Sequence, residues 1–508
     1  MINFLAKKVV PVKGKKRTKK PRLEKQRRSL IQSVDSMLKH IAVLIGDAAP
    51  RNTEISLAME KAVMAAFNHH CSRKIEKREC RTVSGRGANT YIFPWKDPEG
   101  YDELTDDAKK FKKSVCGFLA REVHATGHKP SCALRGKYRL CGFRSKPRRT
   151  ITTQGRREFR IRMVECRDCK RKFSIVPSFL PREKHYCIDI IGQVFENVFR
   201  FAMSILGALQ NTKLLANPVR SKQTVLNWLR QMGALHPAAV LTRAEIQGSG
   251  YFEEDEGFEK EPDLRTYSVV IVDPINLLVW HSDYVDSVDE ESLVASFEKS
   301  VSKIEFKVIG IAKDGWKAST KALKTVFKNL QIGFCHRHCL KKLYQDLLIY
   351  RKETGCSLKK ISALYMEIKE ILKTASSKKA LTIRLNALKD EAFGHPTIKK
   401  RIASIKRDAV YYTSSKRRKG ISKTTSVVDN FLKVVKRKLI QAESFRDRQY
   451  TGWLFQAMAN VRNFLPFLPP AKNAHKSPFM LADGKTYDLP WMQTMNVHNA
   501  FLFTKQAF

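Results

Sequence analysis

The sequence predicts a multi-domain protein of the α+β and α/β classes, in which a mixed-sheet core carries a helical insertion and follows a β module and a helical module. Three observations predict this architecture. The chain has 508 residues, too many for one ordinary hydrophobic core. Residues 245–335 show strand patterns that run first as hairpins and then alternate with helices. Residues 338–410 carry almost no strand signals and are rich in Leu, Lys, Ile and Ala, which favours helices.

The charge of the chain is strongly positive. Lys and Arg number 95 against 49 Asp and Glu, which gives a formal net charge of +46. Such self-repulsion favours a polyanionic partner, and nucleic acid is the commonest one. A ribosome-like RNA binder and a binder of anionic membranes are the alternatives that charge leaves open. Because 43% of the residues are hydrophobic, general disorder is excluded.

Targeting signals and cysteine usage both indicate an intracellular protein. The chain has no run of about 18 uncharged apolar residues, and its start lacks the apolar stretch of a secretory signal. The 11 cysteines are too sparse for a disulfide framework, so their clustering indicates metal ligands or core positions. We expect an intracellular, DNA-associated protein, in the cytoplasm or nucleoid of a prokaryote or the nucleus of a eukaryote.

Composition and periodicity divide the chain into consecutive segments. The first is a basic arm interrupted by Pro11 and Pro21, which is typical of a solvated, disordered segment. Helical spacing, cysteine content and strand alternation mark the others. The predicted segments are 1–28 (basic disordered arm), 29–127 (helical N-terminal region), 128–187 (zinc-ribbon-like module), 188–240 (helix-turn-helix region), 245–338 (first part of the mixed-sheet core), 339–420 (helical insertion), 421–465 (last helices of the core) and 466–508 (C-terminal tail).

A structural zinc site is predicted in the cysteine-rich module. Cys166 and Cys169 form a CxxC turn, which converges two thiolates on one tetrahedral Zn²⁺. Cys132 and Cys141 are the expected partners, although their spacing is wider than the usual knuckle, and His128 is an alternative ligand. A degenerate ribbon, whose cysteines pack as small hydrophobic residues, is the other interpretation.

The segment NPVRSKQTVLNWLRQMGA resembles the second half of a helix-turn-helix. Ser221 would cap a helix whose exposed face presents side chains able to reach base edges or phosphates. A helix that only packs its apolar face is the alternative interpretation. A second basic segment, SSKRRKG, also fits DNA contact. The DNA-binding candidates are Lys222, Gln223, Asn227, Arg230, Lys416, Arg417 and Arg418.

Two acids are predicted at neighbouring strand ends. Asp255 lies in GYFEEDEGF at the end of one expected strand, and Asp314 ends the strand pattern FKVIGIAKD immediately before a helix. Carboxylate oxygens are the ligands that Mg²⁺ prefers, and two such ions stabilise both the attacking and the leaving oxygen in phosphoryl transfer. Taken alone, an aspartate at a strand end is more often a cap or a turn residue.

The order of these motifs resembles that of the DDE transposases, especially Mutator-like elements and related bacterial insertion-sequence transposases, over roughly residues 245–465. In those families a helix, a strand and a Cys-x-x-His motif follow the second Asp, and here Cys335 and His338 match that motif. A long helical insertion then leads to a helix that carries the third acid. The matching residue is Asp429 in TTSVVDNFLKVVKRKL, where the families mostly have Glu.

The resemblance implies an RNase H-like core and a defined chemistry. The protein would bind double-stranded transposon ends and target DNA, act as a homo-oligomer on DNA, and catalyse strand cleavage and strand transfer. Asp255, Asp314 and Asp429 would be the catalytic ligands of two Mg²⁺ or Mn²⁺ ions, while Cys335 and His338 would support the site. One structural Zn²⁺ would belong to the upstream module.

Two other functions stay open at this point. One is a domesticated or inactive transposase that only binds DNA, which the shorter Asp429 favours. The other is a metal-dependent nuclease of the same fold that cuts and does not join. Among rival acids, Glu254 and Glu256 would face the opposite side of the strand from Asp255. The remaining alternatives are Asp273 in a hairpin turn, Glu443 past the third helix, and a crowded zinc site of Cys335, His336, His338 and Cys339.

Overall fold

The computed structural model describes residues 90–122, 138–167, 172–181, 185–212, 219, 221–260, 265–442 and 448–499. The predictions for the basic arm 1–28 and for most of the helical region 29–127 lie outside these residues. So do those for His128, Cys132, Cys169 and Glu443, and for the side chain of Cys166.

The N-terminal described part is a small α+β module. A four-stranded sheet has the order β1-β6-β5-β2, with β1 parallel to β6 and the other pairs antiparallel, and β3 and β4 form a separate hairpin. Residues 159–164, in which arginine alternates with apolar side chains, are divided between two strands, because Phe159 ends one and Arg162 begins the next. The elements are β1 (Thr90–Phe93), α1 (Gly100–Asp106), α2 (Ala108–Glu122), β2 (Tyr138–Phe143), β3 (Arg148–Thr152), β4 (Gly155–Phe159), β5 (Arg162–Cys166) and β6 (Lys172–Pro177).

Four helices follow the module. The first is apolar on nearly every side and contributes buried Ile, Val and Phe side chains to the main core. The third begins after Ser221 and buries Val225, Trp228 and Leu229 on one face, as its amphipathic spacing predicts. The four are α3 (Ile188–Phe199), α4 (Ile205–Asn211), α5 (Lys222–Gly233) and α6 (Pro237–Arg243).

A five-stranded mixed sheet forms the centre of the fold. Its first three strands are an antiparallel meander, and the last two run parallel to the first, which gives the order β11-β10-β7-β8-β9. The continuous apolar run of β8 is buried because helices cover the sheet. The elements are β7 (Tyr251–Lys260), β8 (Arg265–Val272), β9 (Val279–Val285), α7 (Glu290–Val301), β10 (Gly310–Lys313), α8 (Lys317–Val326) and β11 (Gln331–Phe334).

Asp255 lies in the middle of β7, so the expectation that it ends a strand is wrong. The reason is that β7 has two neighbours of different length. Its parallel pairing with β10 stops at Glu253 opposite Ala312, whereas its antiparallel pairing with β8 continues to Lys260. Asp255 therefore lies just beyond the end of β10, in the part of β7 that pairs with β8 alone.

Residues 336–417 are helical and build a core of their own from buried Leu, Ile, Ala and Tyr side chains. The insertion returns to the sheet where Tyr411 stacks on Phe334 of β11, with 4.4 Å between ring centroids. Its elements are α9 (His336–Thr354), α10 (Leu358–Thr374), α11 (Lys378–Asn386), a 3₁₀ turn (Glu391–Gly394), α12 (Pro396–Arg407), α13 (Ala409–Tyr412) and α14 (Ser414–Arg417).

The last helices close over the sheet. The helix after the insertion contacts β7 and β8, and the next one packs against α5 so closely that a Cβ on Gly233 would lie 1.9 Å from the carbonyl oxygen of Trp453. Asn463 pins this second helix to β9 by accepting from Val279 N and donating to its carbonyl, each at 2.8 Å. The elements are α15 (Ser426–Ala442), α16 (Arg448–Phe464), α17 (Pro478–Leu481) and α18 (Trp491–His498).

The described residues therefore form a mixed α+β fold with mixed sheets, as predicted from the sequence. Among these residues, no helix combines the length and the apolar character needed to cross a membrane.

Candidate metal centre

Three side chains from distant parts of the chain meet above the central strand. Asp255 on β7, His338 on α9 and Asp429 on α15 each offer one ligand atom, and these atoms all lie within 4.8 Å of one another. The Asp255 side chain is buried, and the other two are half-buried. The cluster therefore lies at the boundary between core and solvent, open to a ligand on one side.

Asp255 is the most perturbed acid of the cluster. Only 7% of the residue is exposed. Burial first, and then the neighbouring carboxylates of Glu256, Asp314 and Asp429, raise its pKa to about 8 against the opposing effect of His338. A carboxyl group that resists ionisation in this way gains the most from a bound cation, because the cation offsets both the burial and the repulsion.

Hydrogen bonds at the N-terminus of α15 position Asp429. It lies in the first helical turn, and its backbone N–H donates to the carbonyl of Thr425 at 3.0 Å. The carboxylate of Glu253 accepts from Val427 N at 2.8 Å and from Val428 N at 3.2 Å. Because Glu253 and Asp255 share one face of β7, the strand that carries the first acid also fixes the helix that carries the third.

Cys335 and His338 connect α9 to the same helix start. The Cys335 sulfur accepts from Thr425 N at 3.3 Å and from Thr425 Oγ1 at 3.4 Å. His338 lies one turn into α9, where contact with Cys335 and then the charges of Asp255 and Asp429 raise its pKa to about 9, against the effect of burial. Its Nδ1 atom is buried and has no hydrogen-bond partner among the residues that the structure describes.

Asp314 lies beside the cluster and is not part of it. Continuing the register of β10 along β7 by two residues sets Asp314 level with Asp255 on the neighbouring strand. Its carboxylate accepts from Lys313 Nζ at 3.1 Å and from Trp316 N at 2.7 Å. Burial alone would raise the pKa of Asp314, but Lys313 and the Trp316 amide outweigh it and lower that pKa. Asp314 is thus held ionised, close enough to perturb Asp255.

Lys313 is a buried cation that contacts two carboxylates near the site. Its side chain is fully buried, 3.6 Å from Glu254 Oε2 and 3.1 Å from Asp314 Oδ1. Ser319 Oγ donates to the other Glu254 oxygen at 3.1 Å. Glu254 therefore faces away from Asp255, as predicted for alternate residues of a strand. This rival acid is already satisfied by a lysine and a hydroxyl.

The residues present fit a divalent cation. Two carboxylates and one imidazole converge, and the orphaned His338 Nδ1 lacks the partner that a buried ring nitrogen normally has. Carboxylate oxygens suit hard divalent cations, and an imidazole ligand suits transition-metal ions better than Mg²⁺. Within the described residues no second such group of His, Cys, Asp and Glu occurs, so the alternative zinc site at residues 335–339 is not assembled.

Arg337 was not anticipated from the sequence. Its Nη1 lies 3.4 Å from Asp429 Oδ2, while 57% of its side chain is exposed. Glu253 was also missed, although its i, i+2 spacing from Asp255 places both on one strand face. His338 was expected to support the site, whereas its ring nitrogen lies among the possible ligands.

The DNA-binding candidates fall into two groups. Lys222, Gln223 and Asn227 are exposed on α5, where Gln223 Nε2 donates to Asn227 Oδ1 at 3.0 Å. The prediction that all four side chains are exposed is wrong for Arg230. This residue is half-buried, and its guanidinium lies 5.6 Å from the centroid of the Trp453 ring. The basic side chains of the second segment are exposed, namely Lys416, Arg417 and Arg418.

Of the four predicted zinc ligands, the structure describes the side chain of Cys141 alone. It is half-buried, and its sulfur lies 3.8 Å from the carbonyl of Arg139 and 3.9 Å from Glu165 Oε2. The zinc-ribbon interpretation therefore stays a prediction.

The sequence matches no protein-family model, and no curated protein matches it.

Proposed function

We propose that this chain is a DDE-type DNA transposase, which binds DNA ends and catalyses metal-dependent strand cleavage and strand transfer. The observation that carries the proposal is the convergence of Asp255 and Asp429, far apart in sequence, whose ligand atoms lie within 4.8 Å of each other and of a His338 ring nitrogen, with Asp314 directly after the adjacent strand. Three acids in the order predicted from the family resemblance are hard to explain as separate caps and turns.

The topology of the sheet supports an RNase H-like core. Such a core joins an antiparallel three-stranded meander to two strands parallel to its first strand, and the order β11-β10-β7-β8-β9 has this arrangement. The first acid lies on the first strand, the second follows the adjacent parallel strand, and the third lies on a helix packed over them. This order of the three acids supports the proposal, although Asp255 lies within its strand and not at its end.

Each protein group has a defined role in the proposed site. Asp255, Asp429 and His338 would hold one Mg²⁺ or Mn²⁺ ion, and Asp255 and Asp314 would share a second. Bound ions would neutralise the scissile phosphate and stabilise the attacking and leaving oxygens. Lys313 keeps Asp314 ionised at neutral pH, and Glu253 keeps α15 docked on β7. The protein contribution is therefore positioning and charge stabilisation.

The exposed basic side chains support a DNA substrate. Lys222 on α5 and Lys416 on the second basic segment belong to a chain of net charge +46. Such charge lowers the free energy of phosphate binding through counterion release. The proposed partners are double-stranded transposon ends and target DNA, bound by a homo-oligomer.

The test is a strand-cleavage and strand-transfer assay in Mg²⁺ or Mn²⁺, with plasmid DNA and with ends that carry a pre-cut 3′-hydroxyl. Asp255→Asn, Asp314→Asn and Asp429→Asn are each expected to lower both activities by about 10²–10³-fold or more. Glu298→Gln, an exposed acid on α7, is the matched control and should leave them unchanged. Equal activity in all five proteins would refute the enzyme. Cutting without joining would identify a nuclease of the same fold.

A DNA-binding protein without strand transfer is the second candidate, and the contact between Arg337 and Asp429 favours it. A guanidinium at the third carboxylate competes with a cation for the same oxygens. If this contact prevents ion binding, Arg337→Ala will raise the affinity for Mn²⁺. If the exposed arginine swings away when a cation binds, Arg337→Ala will leave that affinity unchanged.

A further inference from the structure

A cavity of about 450 Å³ lies between the end of α3, one face of α15 and the end of α16. Its volume lies within the roughly 300–1,000 Å³ of ordinary small-molecule sites. The floor is apolar, with Phe431, Val434, Leu465 and Phe467 among the lining residues. None of the proposed metal ligands lines it, so it is a separate feature of the surface.

Four cations and no acid line this cavity. Arg200 is paired with Glu196 outside the cavity and also donates to the carbonyl of Pro466. Among the described residues, Arg437 donates only to a backbone carbonyl of its own helix. The cations are Arg200, Lys433, Arg437 and Arg462. The charge of the cavity is therefore complementary to an anion.

Among the four cations, Arg462 would gain the most from a bound anion. Its guanidinium lies 4.2 Å from the centroid of the Phe467 ring and has no hydrogen-bond or ion-pair partner among the described residues. Burial, and then the charge of Arg200, lower the pKa of Arg462 to about 10, so it stays charged at neutral pH. A half-buried cation with no partner costs free energy, which an incoming anion would recover.

The helix α15 connects the cavity to the metal centre. Asn430, which lines the cavity, directly follows Asp429 in the first turns of the helix. Its side-chain oxygen accepts from Lys433 Nζ at 3.3 Å, and its amide is exposed. Asn is a side chain that pairs with adenine edges, and apolar side chains accept the faces of unstacked bases. An anion with a flat apolar group attached fits this set of neighbours.

We propose that the cavity holds one unstacked nucleotide of a DNA strand, with its base on the apolar floor around Phe467 and its phosphate on Arg462, Lys433 and Arg437. This inference rests on the proposed DNA substrate and is independent of the metal chemistry. A nucleotide held here would anchor the strand next to the scissile phosphate. An acidic peptide is the other class of ligand that the cations would attract.

The test uses the full chain without added Mg²⁺ or Mn²⁺, with a fluorescent single-stranded oligodeoxynucleotide that carries one 5-iododeoxyuridine. Anisotropy gives the affinity at several salt concentrations, and irradiation crosslinks the iodinated base to aromatic side chains that it touches. Lys433→Gln and Lys436→Gln form a matched pair, because both lysines are exposed on α15 and only Lys433 lines the cavity.

We expect crosslinks in the peptide that contains Phe467. Lys433→Gln should weaken binding and reduce the salt slope by about 0.7, the value for one phosphate contact on a single strand, while Lys436→Gln should have a smaller effect on both. Equal effects of the two substitutions, crosslinks confined to other segments, or displacement by hexaglutamate as readily as by a mononucleotide would overturn the inference. If wild type binds neither the oligonucleotide nor duplex DNA ends, the DNA substrate fails as well. If it binds duplex ends alone, only this inference fails, and the other failures also leave the proposed function intact.

Discussion

His338 shows how a single side chain sets the chemistry of the site. His338 lies in the first turn of α9, within reach of two carboxylates, and its buried Nδ1 has no hydrogen-bond partner in the part of the chain that the structure describes. Imidazole binds first-row transition ions better than Mg²⁺, whose preference is for oxygen. In the proposed metal centre, His338 would therefore favour Mn²⁺ over Mg²⁺.

We predict that His338→Gln lowers the preference for Mn²⁺ over Mg²⁺, because the amide offers an oxygen in place of the imidazole nitrogen. Overall metal affinity should fall by about 10–100-fold, the usual effect of disturbing a ligand or its support. Titration of both ions by calorimetry measures this. His336→Gln is the control, since His336 faces the Tyr412 carbonyl at 2.8 Å and not the carboxylates. An unchanged ion preference in His338→Gln would exclude His338 as a ligand.

Glu253 links two elements of the site. Its carboxylate accepts from two backbone N–H groups at the start of α15, although burial raises its pKa. A hydrogen-bond acceptor at a helix N-terminus satisfies donors that the helix cannot satisfy itself. The docking of α15, and with it the position of Asp429, depends on this one side chain of β7.

Replacement of Glu253 should therefore act on the position of the helix. We predict that Glu253→Ala lowers the free energy of unfolding by about 1.5–3 kcal/mol and reduces cleavage, because a part-buried and a buried N–H group, those of Val427 and Val428, lose their acceptor. Glu253→Gln keeps an acceptor oxygen and should recover most of both. Chemical denaturation and the cleavage assay give the two readouts. Wild-type stability and activity in Glu253→Ala would show that α15 docks without it.

The elements also show where sequence reasoning succeeds and where it stops. The hairpin around Asp273, the alternation of strands and helices, and the helical stretch before Asp429 follow from local patterns. The mid-strand position of Asp255 does not, because it depends on where β10 ends beside β7. Sequence reasoning missed three further features for the same reason. The role of Glu253, the contact of Arg337 and the burial of Arg230 each depend on a residue that is distant in the sequence.

At the scale of the whole molecule, the C-terminal helix joins parts of the chain that are far apart. Gln493 of α18 donates from Nε2 to both oxygens of Asp189 on α3 at 3.0 Å, and its Oε1 accepts from Ser178 Oγ at 2.7 Å. Burial raises the pKa of Asp189 to about 6, although the Gln493 bond opposes the shift. A buried carboxyl group with a raised pKa thus lies where Ser178, α3 and α18 meet.

The pH dependence of stability follows from this junction. The folded pKa of Asp189 lies above its unfolded value of 3.8, so its contribution to stability is greatest below about pH 4 and is lost as the pH rises to about 6. Asp189→Asn keeps the acceptor for Gln493 and should be more stable at pH 7 by up to about 3 kcal/mol. Denaturation between pH 4 and pH 8 measures this. Glu99→Gln, an exposed site, is the control, and a pH profile of Asp189→Asn parallel to that of wild type would contradict the account.

The convergence of acids on one ion site is tested most directly by Mn²⁺ binding to the full chain, followed by electron paramagnetic resonance. Wild type and the control Glu298→Gln are expected to bind Mn²⁺ equally, and Asp255→Asn and Asp429→Asn are expected to lose most of that binding. The same Mn²⁺ affinity in all four proteins, or none in wild type, would contradict the proposed metal centre.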